Sequence, residues 1–143
     1  MKKIILVIFL IFPLISFGAC IEFSGKFNCS SNIGNFVRSY STKIYDGTYV
    51  YVLVDGGGES MTFYADRSPR PFKFMEQGMK IIGRITSRCD LGALNSYFKG
   101  KIEGDSGVVE VKMKSTKARG KIKMVLEIFY NSRLFQTINE TCS

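Results

Sequence analysis

The sequence predicts an all-β fold, an antiparallel up-and-down meander of about eight to ten strands closed into a barrel. Three observations carry this. Past Cys20 no long stretch repeats apolar residues at three and four, and alternation of period two dominates instead. Gly, Asp, Asn and Pro break that alternation at short intervals, as tight turns between strands do. The chain has no Trp but twelve Phe and seven Tyr, so aromatic filling of the core falls mainly to Phe.

The chain opens on Met1-Lys2-Lys3, an apolar run from Ile4 to Ile15 broken only by Pro13, and then Ser16-Phe17-Gly18-Ala19-Cys20. This is the pattern of an export signal over residues 1–19, leaving residues 20–143 as a single β-barrel domain. The apolar run is twelve residues, shorter than the roughly 20 a bilayer-spanning helix needs, so cleavage is expected. Phe17-Gly18-Ala19-Cys20 resembles a bacterial lipobox, with Phe17 where an aliphatic residue is usual. Ordinary cleavage after Gly18 also fits. The expected location is the periplasm or the extracellular space, or else the outer membrane as a lipoprotein anchored at Cys20.

The first strand reads as Ile21, Phe23, Gly25, Phe27 and Cys29 alternating with Glu22, Ser24, Lys26 and Asn28. A second runs from about Phe36 to Tyr45. Asp46-Gly47 then gives the strongest hairpin signal, since a type I′ turn needs positive φ, which Gly supplies at no steric cost. Thr48 to Asp55 follows, apolar on both faces, and Gly56-Gly57-Gly58 turns the chain into Met61, Phe63 and Ala65. Ser68-Pro69-Arg70-Pro71 is excluded from any central strand, because two prolines remove ladder donors. Further strands read at Met79 to Cys89, Ala93 to Glu103, Val108 to Lys114, Lys121 to Tyr130 and Arg133 to Cys142.

A first strand carrying Ser24-Gly25-Lys26-Phe27 at the head of such a meander resembles the calycin group of small barrels, lipocalins and avidins among them. The usual Gly-x-Trp tryptophan is replaced by Phe27, so no ligand-cavity residues carry over. The chain is also similar in outline to small periplasmic lysozyme inhibitors, although no segment matches their inhibitory loop. These resemblances imply a compact barrel that binds a small molecule or another protein.

Four cysteines in an exported chain predict two disulfides among three connectivities. Cys20 and Cys29 flank one extended strand, and eight intervening residues at about 3.3 Å each hold them beyond the roughly 7 Å that a disulfide spans. Either Cys20–Cys142 with Cys29–Cys89 or Cys20–Cys89 with Cys29–Cys142 remains. Parity turns Cys29, Cys89 and Cys142 inward and puts Cys20 on the polar side with Glu22 and Lys26. Pairing of the first strand with the last would bring Cys20 near Cys142, so the first scheme is expected. A lipid on Cys20 would instead leave three inward cysteines.

Composition narrows function. Removing the leader brings the formal charge from +8 to +6, which favours anionic partners. The absence of His removes Ser-His-Asp and Cys-His catalysis and histidine metal sites. Asp55, Glu59, Asp66, Glu103 and Asp105 stand at strand ends, where they are ordinary turn residues rather than a catalytic pair. Gly56-Gly57-Gly58 lacks the lysine of a phosphate loop. Asn28-Cys29-Ser30 and Asn139-Glu140-Thr141 match glycosylation acceptors by accident in a chain with a bacterial-looking leader.

One segment rises above this background. Lys112, Lys114, Lys117, Arg119, Lys121 and Lys123 contain no acid between them. With residues 115–120 as the turn, Lys114 faces Lys121 and Lys112 faces Lys123 on the outward face, an arrangement an anion would relieve. The competing reading is a solvated edge that discourages aggregation. Arg67, Arg70 and Lys73 form a smaller basic cluster. Phe23, Phe27, Met61, Phe63, Phe98, Met113, Met124 and Ile128 are the candidate lining of an interior that is either filled or holds one small apolar ligand. The expected function is that of an exported, non-enzymatic binding protein of the bacterial envelope. It takes a small apolar or amphipathic ligand or an anionic envelope component such as lipid or lipopolysaccharide. The alternative is a protein–protein module such as an inhibitor of a secreted hydrolase. No cofactor or metal is expected, and export argues against nucleic acid.

Overall fold

A computed structural model describes residues 20–143, and the expected leader lies outside them. Ten strands follow one another: β1 (Gly25–Ser31), β2 (Gly34–Tyr45), β3 (Thr48–Val54), β4 (Ser60–Tyr64), β5 (Arg70–Glu76), β6 (Met79–Asp90), β7 (Ala93–Ile102), β8 (Val108–Ala118), β9 (Lys121–Tyr130) and β10 (Arg133–Cys142). They form a single antiparallel sheet in the order β4-β3-β2-β1-β10-β9-β8-β7-β6-β5, strongly curled into a half-barrel and consistent with a calycin-like architecture.

The turns follow from local chemistry. Asp46 and Gly47 both take positive φ, 48° and 74°, as the two-residue hairpin required. The chain does the same at Arg119-Gly120, with φ of 52° and 74°. The hairpin ends at residues 46–47, 91–92 and 119–120 share one rim of the sheet, here the lower rim. Those at 32–33, 55–59, 77–78 and 131–132 share the upper one.

Closure differs from the expected barrel. The ladder is continuous where the two ends of the chain meet, at β1 and β10, and open between β4 and β5. The β1–β10 joint is short: Cys29↔Cys142, Ser30↔Thr141 and Ser31↔Glu140 form its ladder, and Asn28 and Ser143 exchange backbone hydrogen bonds of 2.9 and 3.0 Å at its end. At the open side β5, a strand the sequence pattern did not give, carries Pro71 on an edge, where a missing N–H costs no ladder bond. Between β6 and β7, Gly83 stands directly opposite Gly100. A Cβ on Gly83 would come within 2.5 Å of the Gly100 Cα, so this crossing requires glycine.

The first strand also begins later than expected. β1 starts at Gly25, whose φ of 131° breaks the extended run, and residues 20–24 turn in across the lower rim. Phe23 is buried there, its ring 4.9 Å from that of Tyr40 and 5.3 Å from that of Tyr51. The Thr42 hydroxyl accepts from the Phe23 N–H at 3.0 Å and donates to its carbonyl at 2.8 Å. The Tyr51 hydroxyl donates to the Ile21 carbonyl at 2.6 Å, and the Lys117 ammonium to the Glu22 carbonyl at 3.0 Å.

This entry path corrects the cysteine scheme. The disulfides are Cys20–Cys89 and Cys29–Cys142, with Cα atoms 5.4 Å and 4.0 Å apart, not Cys20–Cys142 with Cys29–Cys89. Cys20 is buried rather than on the polar side, because its segment leaves the strand before parity can apply. Its sulfur is paired with that of Cys89. Two disulfides suit an oxidising, exported environment.

The inner face holds the core: Tyr40, Tyr51, Leu53, Phe63, Ile81, Ile85, Leu94, Phe98, Val109, Ile122 and Met124, with Phe23 from the crossing segment. Each fully buried side chain of this size contributes about 1.5–3 kcal/mol.

Candidate functional site

Phe23, Phe63, Phe98 and Met124 are buried on the inner face, and Phe27, Met61 and Met113 pack against them. Ile128 lies half-buried on the inward parity of β9. The space enclosed by Phe23, Tyr40, Tyr51, Leu53, Phe63, Leu94, Met113, Ser115 and Met124 is about 10 Å³. That is the lower limit for a single water and far below the roughly 300 Å³ of a small ligand site. Phe23, from the crossing segment, is among the side chains that fill this part of the interior.

The outer wall is different. There the register aligns two rows of side chains across β6, β7, β8 and β9. One row is Arg88, Asn95, Lys114 and Val125, and the next is Thr86, Tyr97, Lys112 and Glu127. With strands about 4.8 Å apart, each row is about 14 Å long, and the rows lie about 7 Å apart. Together, with Ser96 and Met113 between them, they line an open groove of about 690 Å³.

Its chemistry is amphipathic and cationic. Tyr97 and Val125 give apolar surface, and Arg88, Lys112 and Lys114 bring three positive charges against the single carboxylate of Glu127. The Arg88 Nε is held by Asp90 at 2.6 Å. No ion pair among the described residues engages Lys112 or Lys114. The Lys112 ammonium instead sits 4.9 Å from the centroid of the Phe129 ring. Nearby Glu110 is occupied by Lys99 at 3.8 Å and by the Tyr97 hydroxyl, whose hydrogen bond to that carboxylate pushes the Tyr97 pKa up.

The six basic residues singled out in the sequence divide. Lys112 and Lys114 enter the groove, while Lys121 and Lys123 lie lower on the same wall. Lys117 is spent on the Glu22 carbonyl, and Arg119 forms the turn. The expected direct opposition of lysines is not formed. The two-residue turn shifts the register, so Lys112 faces Glu127, Lys114 faces Val125, Lys123 faces Thr116 and Lys121 faces Ala118. Of the smaller cluster, Arg67 pairs with Asp90 and Arg70 with Asp66. Sequence reasoning missed Arg88, Asn95 and Tyr97, although their outward parity in β6 and β7 was readable beside the lysines.

A second polar cluster spans the β1–β10 joint. One Arg38 nitrogen reaches both Glu140 oxygens at 2.6 Å, and the guanidinium lies 4.4 Å from the Phe36 ring centroid. Burial pushes the Glu140 carboxyl above its ordinary value, against the pull of Arg38. The Tyr40 hydroxyl, buried and beside Glu140, is pushed up to about 12. Glu140 also lies with the sulfurs of Cys29 and Cys142, but these are joined to each other and offer no thiolate to a metal. The cluster holds β2 to β10 across β1.

Comparison with protein-family models, with curated proteins and with solved structures finds no match to this chain.

Proposed function

We propose that this is an exported, non-catalytic binding protein that holds an anionic amphiphile, a phosphate-bearing lipid headgroup with its first apolar atoms, in the outer groove of β6 to β9. The observation that carries the reading is the pair Lys112 and Lys114, in neighbouring rows beside Tyr97 and Val125 and free of any ion pair among the described residues. Unpaired ammonium groups over apolar surface match a charged head joined to hydrocarbon. The site therefore lies outside the sheet, not in the interior that a lipocalin-like reading implies. The lack of His, and the positions of Asp55, Glu59, Asp66, Glu103 and Asp105 between strands, support binding rather than catalysis.

Vesicles of phosphatidylcholine with and without phosphatidylglycerol test it. Binding should require the anionic lipid and weaken with salt, since exposed charges are screened over about 10 Å at 0.1 M. Lys112→Gln with Lys114→Gln should weaken binding about thirtyfold, at roughly 1 kcal/mol per cation near an anionic surface. Unchanged binding by this variant sinks the reading. A protein partner is the second reading, favoured by the open edges of β4 and β5, whose backbone can pair with another strand.

A further inference from the structure

The groove does not end at β9. One row above it, Phe129 on β9 stands opposite Leu134 on β10, both facing outward. The register slips between Leu134 and Gln136, a bulge that leaves Phe135 unpaired and turns Leu134 away from the core face that simple alternation assigns it. Phe135 is 76% exposed, Leu134 56% and Ile33, in the neighbouring β1–β2 turn, 58%. That turn is fixed against β10. The Asn32 amide donates to the Thr137 carbonyl and its oxygen accepts from the Asn139 N–H, both at 2.9 Å. The three apolar side chains are thus held outward by a bulge and a pinned turn. Lys112, over the Phe129 ring, joins them to the groove, and exposed Arg133 stands at their rim.

We infer that Ile33, Leu134 and Phe135 form a membrane-docking edge, which enters the headgroup boundary of an anionic bilayer while Lys112 and Lys114 engage its phosphates. This rests on the groove reading and adds that the amphiphile is met within a bilayer. Charge complementarity and continuity with the groove select the occupant: cations flank an apolar tip that no part of the described chain covers. Aromatic and aliphatic side chains beside Lys and Arg are the composition of a surface that lies in the membrane interface. Ile44 and Tyr45, also exposed, stand at the β2–β3 hairpin, away from the groove.

Because the protein has no tryptophan, Phe135→Trp installs a single reporter at an exposed position. With phosphatidylglycerol-containing vesicles its emission should shift to the blue and resist an aqueous quencher, and phosphatidylcholine alone should give neither effect. Leu134→Ser with Phe135→Ser should weaken vesicle binding tenfold or more, since burying one such side chain is worth about 1.5–3 kcal/mol. Unchanged far-ultraviolet dichroism would exclude misfolding of this variant. Binding with no blue shift, or binding unaffected by the double serine variant, overturns the docking edge and leaves the groove standing. No binding to any vesicle overturns both.

Discussion

The β1–β10 joint is the shortest pairing in the sheet, three residue pairs, and Cys29–Cys142 lies in it. Replacing both cysteines by alanine tests what that bond contributes. Cys29 and Cys142 are 113 residues apart, and closing such a loop in the unfolded chain is worth about 5 kcal/mol in the chain-entropy account. Cys20–Cys89 already cross-links the denatured chain, however, so the shorter path between the two sulfurs runs through that bond over about 60 residues, which lowers the figure to about 4 kcal/mol. A domain of this size is stable by only about 5–15 kcal/mol. Urea unfolding, with a slope of about 2 kcal/mol per molar, should therefore show the midpoint fall by about 2 M. A fall under about 0.5 M with unchanged slope would refute the account, because the joint would then hold without its staple.

Three further outcomes are expected. The Ser115 hydroxyl is fully buried with no partner, so Ser115→Ala should stabilise the fold by about 1 kcal/mol, and a lowered melting temperature would show that the hydroxyl is bonded after all. Gly83→Ala should cost about 3 kcal/mol or more by forcing β6 from β7, and a urea midpoint equal to that of the native chain would contradict the close crossing. Because burial holds Glu140 above its ordinary 4.5, the folded state binds that proton more readily than the unfolded chain. Its contribution is present below the ordinary value and is lost as pH rises through the raised one. Glu140→Gln should therefore flatten the decline of stability with rising pH, and urea midpoints with the same slope in both proteins would sink the burial assignment.

Alternation in single strands was legible because each half-buried strand writes its own period. Ile122 and Met124 against Lys121 and Lys123 gave β9 its faces, and Asp46-Gly47 gave its hairpin. What was not legible depended on register between strands. Arg119-Gly120 lacks the Asn or Asp that marks a type I′ turn, and reading a longer loop there moved every lysine partner. Cys20 was misplaced because alternation across Ser24-Gly25 continues on paper while the backbone turns at Gly25. The groove was legible only in halves: Lys112 and Lys114 stood out as a charge run, but Arg88, Asn95 and Tyr97 join them only once four strands are aligned.

The strand order also bears on folding kinetics. Every ladder but one joins strands adjacent in the chain, so β1 to β4 and β5 to β10 can each zip as runs of local hairpins, on the microsecond scale of such events. The β1–β10 ladder alone demands an encounter between distant ends of the described chain, and it offers three ladder pairs and the Asn28–Ser143 backbone bonds in return. The two arms should form early and meet late, with the joint absent from the transition state. Oxidation of Cys29 and Cys142 would then mark completion, a covalent record that the last contact has formed in register.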